Sequence, residues 1–399
     1  MIRHFFRVIW FRKKENFMTS LGIFISFIVL FLVTSFLVYT ANNYLKPLGF
    51  SYKDVWYITM NWKDSSQEEI KETLLQFEND FKSFPEIEDF AYSESFIFTP
   101  AVMNMTNYEY NEREIRCNIR YASDDFIDVM GMEMLEGRWF DESDNASNKN
   151  PLIINKYAKE DIFGNDTALG KVIHKGENEY IIIGVIDEFR NAGKFSGSMP
   201  ISFRRISLNL EHEQARFGSE SMGSRILLKV KSGTPVKFEE TITKSLSNIA
   251  KEWQIKVNTL EILKKSANLQ TLIFPVILIV VCGFLIINVG LGLFGVIWYN
   301  TNRRRGEIGL RRALGSSANK IQVQIIGEAL VLSTFAMIVG SFFALQFPIL
   351  GLIPIFDSTI YTLGYIISVL VIYLITSLCA WYPSRIAALV EPADTLRDE

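Results

Sequence analysis

Four long apolar stretches dominate the pattern of hydrophobic and polar positions along the chain. A bilayer core about 30 Å thick is crossed by roughly 20 residues of α-helix, because each residue adds about 1.5 Å of rise. Each stretch reaches about this length, and the second lies in a charge-free window from residue 266 to residue 302. The pattern therefore predicts four transmembrane helices, at residues 17–40, 272–299, 329–347 and 361–381.

The segment between the first two stretches, residues 41–265, has the composition of a soluble domain with alternating strand and helix patterns. Strands are predicted at residues 54–60, 91–99, 113–120, 180–186, 225–230 and 254–260. Helices are predicted at residues 66–84, 124–130, 156–163 and 235–253. The first and last elements form two strand–helix–strand units, with a β-rich insertion over about 100–222. We therefore predict an α-helical membrane protein with four transmembrane helices and a large α+β extracytoplasmic domain.

The distribution of charge predicts the orientation of these segments. Residues 46–265 hold 28 Lys and Arg against 36 Asp and Glu, and the rest of the chain holds 13 against 8, which accounts for the 41 bases and 44 acids of the whole. Five bases precede the first apolar stretch and six lie in the loop at 300–328, whereas 351–360 contains none. Because short basic segments stay on the cytoplasmic side, both termini (1–16 and 382–399) and the 300–328 loop are predicted to be cytoplasmic. This makes the chain a multi-pass protein of the cell (inner) membrane.

The first apolar stretch also resembles a secretory signal, because a basic segment precedes it. Its apolar run of about 24 residues is much longer than the roughly 7–15 residues of a signal peptide, and no clear small-residue cleavage site follows. We therefore expect an uncleaved membrane anchor.

Several classes of function find no support in the sequence. No basic stripe with interleaved aromatic residues predicts nucleic-acid binding. The three histidines and three cysteines lack metal-ligand spacing, and Cys117 is the one cysteine of the soluble segment, so neither a metal, a cofactor nor a disulfide is expected there. No charged residue lies at mid-depth in a predicted span, which disfavours an ion-coupled secondary carrier.

Two glycine patterns imitate nucleotide sites. Gly290, Gly292 and Gly295 spell the dinucleotide fingerprint, but they lie inside a predicted transmembrane helix, with no preceding strand. The segment from Gly164 to Lys171 imitates a phosphate-binding loop with the wrong spacing, and it reads as a turn followed by a strand. With no nucleophile elbow or metalloprotease motif either, the chain is not expected to be an enzyme.

The loop at 300–328 combines basic residues with a short amphipathic helix. Ile308, Leu310 and Leu314 form one apolar edge, Gly315 is a natural end of the helix, and Ser316 or Ser317 is a natural N-cap for the next one. A purely topological role, in which the bases only fix orientation, is one interpretation. An exposed apolar edge on a capped helix also predicts a docking surface for another protein.

Three motifs carry a resemblance to one family. The loop sequence Arg305-Gly-Glu-Ile-Gly-Leu-Arg-Arg-Ala-Leu-Gly315 and the ending Tyr382-Pro-Ser-Arg-Ile-Ala-Ala-Leu-Val-Glu-Pro-Ala-Asp-Thr-Leu-Arg397 resemble motifs of MacB/FtsX-type ABC-transporter permeases. The segments 155–164, 169–173 and 181–187 are similar to that family's periplasmic domain. Ser384 departs from the alanine of the family pattern, and 386–390 is uncharged.

The resemblance implies a mechanism and a set of partners. Because sixteen residues precede the first span, ATP hydrolysis is expected in a separate ABC ATPase subunit, and a second permease, identical or different, is expected to pair with the chain. The residues implied to contact the ATPase are Arg305, Glu307, Ile308, Gly309, Leu310, Arg311, Arg312, Ala313, Leu314 and Gly315. For Glu328, an ion pair with a loop arginine and a polar cap at the interface are the two alternatives.

The function implied is a permease that transmits ATP-driven motion to its outer domain for export of drugs, peptides or lipids. Membrane lipid surrounds such a chain, and a periplasmic adaptor with an outer-membrane channel is a further implied partner. The alternative is an FtsX-like transmembrane regulator that activates a cell-wall hydrolase. The large mixed domain with its insertion favours export.

Overall fold

The computed structural model describes residues 13–62, 65–94, 97–99, 104–206 and 225–389. The chain divides into two compact units. The domain unit comprises Asn43–Leu272, and the helical unit comprises the residues up to Asn42 together with those from Ile273 onward. Residues 1–12 and 390–399 of the predicted cytoplasmic termini lie outside the described residues.

In the described part of the chain, the domain unit is built on an 11-stranded mixed sheet. Its strands are β1 (Val55–Asn61), β2 (Ile87–Ser93), β3 (Met105–Tyr110), β4 (Arg113–Ala122), β5 (Met134–Gly137), β6 (Asn150–Asn155), β7 (Val172–Lys175), β8 (Asn178–Ile186), β9 (Ile201–Arg205), β10 (Arg225–Val230) and β11 (Gln254–Thr259). Its helices are α2 (Gln67–Ser83), α3 (Phe126–Met130), α4 (Lys156–Phe163) and α5 (Phe238–Ile249). The strand order is β11-β1-β10-β2-β4-β3-β7-β8-β6-β9, with β5 beside β8.

Two strand–helix–strand units form one end of this sheet, as the sequence predicts. They are β1–α2–β2 and β10–α5–β11, and they interleave because β1 pairs antiparallel with both β10 and β11 while β10 pairs with β2. All the remaining strands come from the segment between the two units. The predicted α+β domain with a β-rich insertion is therefore confirmed.

Helix α2 shows why the local sequence folds as predicted. Ser66 and Glu69 form a reciprocal capping box, in which the Ser66 hydroxyl accepts from the Glu69 amide and the Glu69 carboxylate accepts from the Ser66 amide. Ile70, Leu74 and Phe77 then recur at helical spacing and are all buried. They pack with residues of β1, β10 and α5 in one apolar core.

The prediction of a strand over residues 91–99 is wrong for its second part, at residues 97–99. Strand β2 begins earlier, at Ile87, and ends at Ser93. Phe98 has a backbone φ of +57°, in the left-handed region, and its amide donates to the Asn191 carbonyl oxygen at 2.6 Å instead of to a neighbouring strand. A bend that buries Ile97 and Phe98 therefore replaces the strand.

Among the described residues, the helical unit contains four helices long and apolar enough to cross a membrane, which confirms the predicted number. They include α1 (Lys13–Leu45), α6 (Leu260–Arg303), α8 (Ala318–Ala344) and α10 (Ser358–Ala388), of which α1 and α6 extend into the domain unit. The short helices α7 (Arg305–Ala313) and α9 (Gln346–Ile349) complete the set. Each long helix exceeds its predicted span at one or both ends, because polar turns that do not need lipid continue the hydrogen-bonded backbone.

Small side chains let these helices approach closely. A Cβ placed on Gly364 of α10 would lie 2.2 Å from the Ser35 Oγ of α1, and one on Gly340 of α8 would lie 2.6 Å from the Phe27 ring. The Ser333 and Thr376 hydroxyls share a hydrogen bond of 2.9 Å between α8 and α10. This is the small-residue packing that membrane helices use when water supplies no hydrophobic driving force.

Candidate functional site

The short amphipathic helix predicted in the loop between the second and third spans is present as α7. At its end the Gly315 amide donates to the Arg312 carbonyl, and the Ser316 amide donates to the Arg311 carbonyl, both at 3.0 Å. With a φ of +91°, Gly315 adopts the left-handed conformation that this helix ending requires. Ser317 then caps α8 by accepting from its third amide, so the predicted stop and the second of the two predicted caps are confirmed.

One face of α7 is buried against the helical unit. Ile308 is only 6% exposed, and Gly309 beside it is also buried. The residues packed with Ile308 are Ile321 and Ile325 of α8, Ala387 and Ala388 of α10, and, partly buried, Ile297 and Ala318. The expectation that Ile308 belongs to an exposed apolar edge is therefore wrong, because this side chain anchors α7 to the two helices behind it.

The exposed face of α7 is also apolar. Leu310 is 57% exposed, Leu314 is 78% exposed, and Ala313 lies exposed between them. The spacing of three and four residues places all three on one side of the helix. We call these three residues the docking face. Since α7 is fixed from behind by Ile308, it presents this face on a rigid support.

A polar network fixes the other side of α7 to α8. Glu307 accepts from Arg311 at 2.6 Å and from Arg304 at 3.1 Å. Arg304 in turn donates to Glu328 at 2.7 Å, and Gln324 accepts from Arg311 at 2.9 Å while donating to Glu328 at 3.1 Å. Of the two alternatives for Glu328, the structure therefore contains the ion pair.

The electrostatics of this network centre on Arg304. Burial lowers the pKa of its guanidinium, but the hydrogen bonds and ion pairs with Glu307 and Glu328 outweigh burial and raise that pKa. The network thus keeps a half-buried cation charged. Sequence reasoning missed Arg304 and Gln324 as members, although Gln324 and Glu328 are four residues apart on α8, the spacing at which side chains on one helix meet.

Two other residues of α7 that were predicted to contact the ATPase, Arg305 and Arg312, differ in their surroundings. Arg305 is exposed, whereas Arg312 is partly buried and its Nη1 donates to the Ser316 carbonyl at 3.3 Å. The Arg312 Nε is buried with no hydrogen-bond partner among the described residues. Arg312 therefore supports the helix ending, whereas Arg305 is exposed at the start of α7.

The packing at the end of α10 explains how this chain accommodates Ser384 where the family pattern has alanine. Ser384 is fully buried and its hydroxyl donates to the Trp381 carbonyl at 2.9 Å, so this site accepts a residue as small as serine or alanine. Tyr382 stacks on Trp298 of α6 with ring centroids 6.1 Å apart. The described part of the tail motif is therefore a packing element, and its last residues, 390–397, lie outside the described residues.

A cleft of about 90 Å³ lies beside the network. Thr19 of α1, Asn300 of α6 and Leu332 of α8 are among its lining residues, together with members of the network. Sites for drug-sized ligands have volumes of about 300–1,000 Å³. This cleft is far smaller, so its polar groups serve contacts within the chain.

The two imitations of nucleotide sites are explained by the structure. Gly290, Gly292 and Gly295 lie within the continuous helix α6, where no helix begins. Gly164 ends α4, and Lys171 directly precedes β7, which confirms the turn followed by a strand. Within the described ranges, no group of three or more His, Cys, Asp or Glu side chains is arranged to hold a metal ion, and Cys117 is buried as a free thiol.

Comparisons with known proteins match both units. Residues 16–244 match the family model of a MacB-like periplasmic core domain, and residues 272–392 match that of an FtsX-like permease C-terminal domain.

Among relatives, the macrolide export ATP-binding/permease protein MacB of Escherichia coli strain K12 is 23% identical over 305 residues, which cover 75% of this chain and 46% of that protein. An uncharacterized ABC transporter permease of Methanocaldococcus jannaschii is 23% identical over 284 residues, covering 67% of this chain and 66% of that protein. The chain thus spans between about half and two thirds of the length of these relatives.

Solved structures also match part of the chain. The periplasmic region of MacB from Actinobacillus actinomycetemcomitans aligns with a TM-score of 0.39 at 15% identity, covering 56% of this chain and 97% of that one. The extracellular domain of the ABC-type transporter YknZ from Gram-positive bacteria aligns with a TM-score of 0.34 at 18% identity, covering 50% and 99%.

Proposed function

The chain belongs to the MacB/FtsX-type family of ABC transporter permeases, and we propose that it couples a separate ATPase subunit to its own large domain through the docking face on α7. The observation that carries this proposal is the arrangement of α7. Leu310, Ala313 and Leu314 are exposed on one face, while Ile308 and the polar network hold the opposite faces.

Two properties make this face suited to a protein partner. Burying two leucine side chains in a partner's groove contributes about 1.5–3 kcal/mol each to docking. The rigid support matters as much, because a mobile helix would absorb an applied force instead of transmitting it. Arg305 adds an exposed positive charge at the rim of the face.

We further propose that α7 and both chain ends are cytoplasmic, while the domain unit is extracytoplasmic. Six bases in the 300–328 loop and five before the first span support this orientation, since short basic segments remain inside. ATP is available on that side of the membrane, where the docking face would meet its partner.

Motion would pass outward along α1 and α6. Each of these helices contains residues of both units within one continuous hydrogen-bonded backbone, and such a backbone is satisfied internally even in lipid. Two permeases, identical or different, would pair so that closure of the ATPases moves their α7 helices together. The domain unit would then act on its substrate outside the membrane.

Export of a drug, peptide or lipid is the transport function we propose. The relatives include macrolide export proteins, which supports export over other uses of this architecture. A periplasmic adaptor and an outer-membrane channel are proposed partners of such an export assembly.

A pull-down with the candidate ATPase tests the coupling proposal. The double variant Leu310→Asp/Leu314→Asp, expressed with the ABC ATPase encoded nearest to this gene, should lose that ATPase from the purified complex, because two buried contacts become charges. The matched control Leu135→Asp/Val236→Asp changes two exposed apolar residues of the domain unit and should retain the ATPase. Retention of the ATPase by the α7 variant would contradict the proposal.

A further inference from the structure

Lysines and aromatic rings cluster in the domain unit beside the ends of two membrane helices. Lys264 on α6 lies over the Tyr52 ring, with its Nζ 3.6 Å from the ring centroid. Its hydrogen bond to the Tyr52 hydroxyl, together with the positive charges of Lys194 and Lys53, lowers the pKa of that hydroxyl. The positive charges of three lysines therefore act on one phenol, and Lys264 is in contact with it.

Further aromatic residues extend this cluster toward α1. Tyr44, in the last turn of α1, stacks on Phe195 with ring centroids 5.1 Å apart, and the Lys194 Nζ lies 5.2 Å from the Tyr44 centroid. We call the whole set the basic–aromatic patch. Its members are Tyr44, Tyr52, Lys53, Lys194, Phe195 and Lys264.

The lysines of the patch form no close ion pair within the described part of the chain. No carboxylate oxygen in the described part of the chain lies within 4 Å of the Lys53, Lys194 or Lys264 ammonium groups. The domain unit carries a net negative charge, so three lysines without an ion pair among the described residues form a local reversal of sign. Such a reversal favours an anionic partner.

The backbone beneath the patch is fixed. Arg190 is 2% exposed, and its guanidinium donates to the carbonyl oxygens of Lys46 at 3.1 Å and Lys194 at 2.7 Å, among four such bonds. The Lys194 amide also donates to the Asn268 side chain of α6 at 3.4 Å. The segment after α1, the loop that carries Lys194 and the start of α6 are thus tied together, so the lysines are presented from a built platform.

A cleft of about 380 Å³ opens beside Lys264. Its lining is charged at one end, with the bases Lys264 and Lys265 and the carboxylate of Glu261, and apolar at the other, with Leu269 and Leu272. Leu269 is 61% exposed. This gradient along α6 matches the transition from headgroups to acyl chains in a lipid leaflet.

The position of the patch along α6 fits the headgroup layer. Lys264 precedes Leu272, where the apolar stretch begins, by eight residues, which corresponds to about 12 Å of helix. The headgroup region adds about 5–8 Å to each side of the hydrocarbon core. A lysine side chain spans the remaining distance by directing its ammonium group toward the phosphates. Tyrosine is also enriched at this depth.

We propose that the basic–aromatic patch binds the headgroups of anionic phospholipids in the leaflet on the side of the domain unit. The phosphate would lie between Lys264 and Lys194, and the acyl chains would lie along Leu269 and Leu272. This binding would not require an ATPase.

A local energy-transfer measurement tests this proposal on the full chain in nanodiscs. A donor fluorophore is attached to Ile262→Cys, an exposed position of α6 outside the patch, in a background whose three native cysteines are replaced by alanine. The acceptor is carried by phosphatidylglycerol or by phosphatidylcholine. Transfer to phosphatidylglycerol should exceed transfer to phosphatidylcholine, and the excess should decrease with added salt. Equal transfer to the two lipids would overturn the proposal.

Three triple variants test whether the preference for phosphatidylglycerol arises from the patch. The triple variant Lys53→Gln/Lys194→Gln/Lys264→Gln should weaken the preference by about fivefold per lysine. The triple Lys→Arg variant at the same positions should keep it, which guards against a folding defect. The control triple Lys71→Gln/Lys82→Gln/Lys251→Gln removes three exposed charges elsewhere in the domain unit and should leave it unchanged.

Two further outcomes would also overturn the proposal. An equal loss in the control triple would show a bulk charge effect and no site. Abolition of the preference by millimolar glycerol phosphate would show a site for a soluble anion and not a lipid surface. A second donor at Leu314→Cys on α7 should report no change in the patch variant.

Discussion

Replacing Ile308 by alanine tests whether this side chain anchors α7 to the helical unit. Ile308 is 6% exposed and packs against Ile321, Ile325, Ala387 and Ala388. Truncation of a buried isoleucine to alanine costs about 2–5 kcal/mol, because apolar contacts are lost and a cavity remains. Even the lower figure corresponds to about a 30-fold increase in the population of an opened α7, since about 1.4 kcal/mol is a factor of ten.

Hydrogen exchange of the α7 amides measures this opening in the full chain. Peptides covering residues 305–313 should exchange at least about 30-fold faster in Ile308→Ala than in the unaltered chain. Leu310→Ala is the matched control, because Leu310 is exposed and its truncation should change exchange by less than about threefold. If Ile308→Ala left the exchange of α7 unchanged, the anchoring role would be refuted.

Three further predictions concern other parts of the structure. Glu328→Gln should lower the free energy of unfolding by about 1 kcal/mol, because it weakens the ion pair between α8 and the start of α7, and an unchanged thermal midpoint in detergent would contradict this. Gly364→Val should prevent close packing of α1 on α10, because a Cβ there would lie 2.2 Å from the Ser35 Oγ. This variant should elute as aggregated protein on size exclusion. The control Gly283→Val, at a position with open space around it, should elute normally. Burial raises the pKa of the Cys117 thiol to about 12, so Cys117 should stay protonated and unlabelled by a maleimide at pH 8 until the chain unfolds, and fast labelling of the folded chain would be inconsistent with the structure.

The sequence predicts most of the fold because its strongest signals are local. The apolar stretches are long enough to identify all four membrane helices, and the α2 segment carries both a capping box and a helical apolar repeat. The central strands were harder to predict. Every residue of strand β9 is buried, although the strand contains Arg204 and Arg205. The Arg204 guanidinium lies over the Tyr180 ring, and the Arg205 guanidinium forms an ion pair with Asp124. These partners come from distant segments of the chain, so the local sequence does not reveal them.

The sequence predicts the helix α7 of the candidate site, but it does not predict which face of this helix packs against α8 and α10. Gly315 and Ser317 are read from local turn and capping rules, which do not depend on the rest of the fold. The burial of Ile308 and the exposure of Leu310 depend on which side of α7 meets α8 and α10. A helix of nine residues with apolar positions two residues apart has no periodicity that decides this.

Accessibility of a single cysteine on the docking face tests the central claim most directly. Leu314→Cys, in a chain without its native cysteines, is treated with a membrane-impermeant maleimide in intact cells, in permeabilised cells, and in membranes with or without the ATPase. A cytoplasmic docking face predicts no labelling in intact cells, full labelling after permeabilisation, and protection when the ATPase is present. Labelling from outside intact cells, or labelling that the ATPase leaves unchanged, would contradict the account.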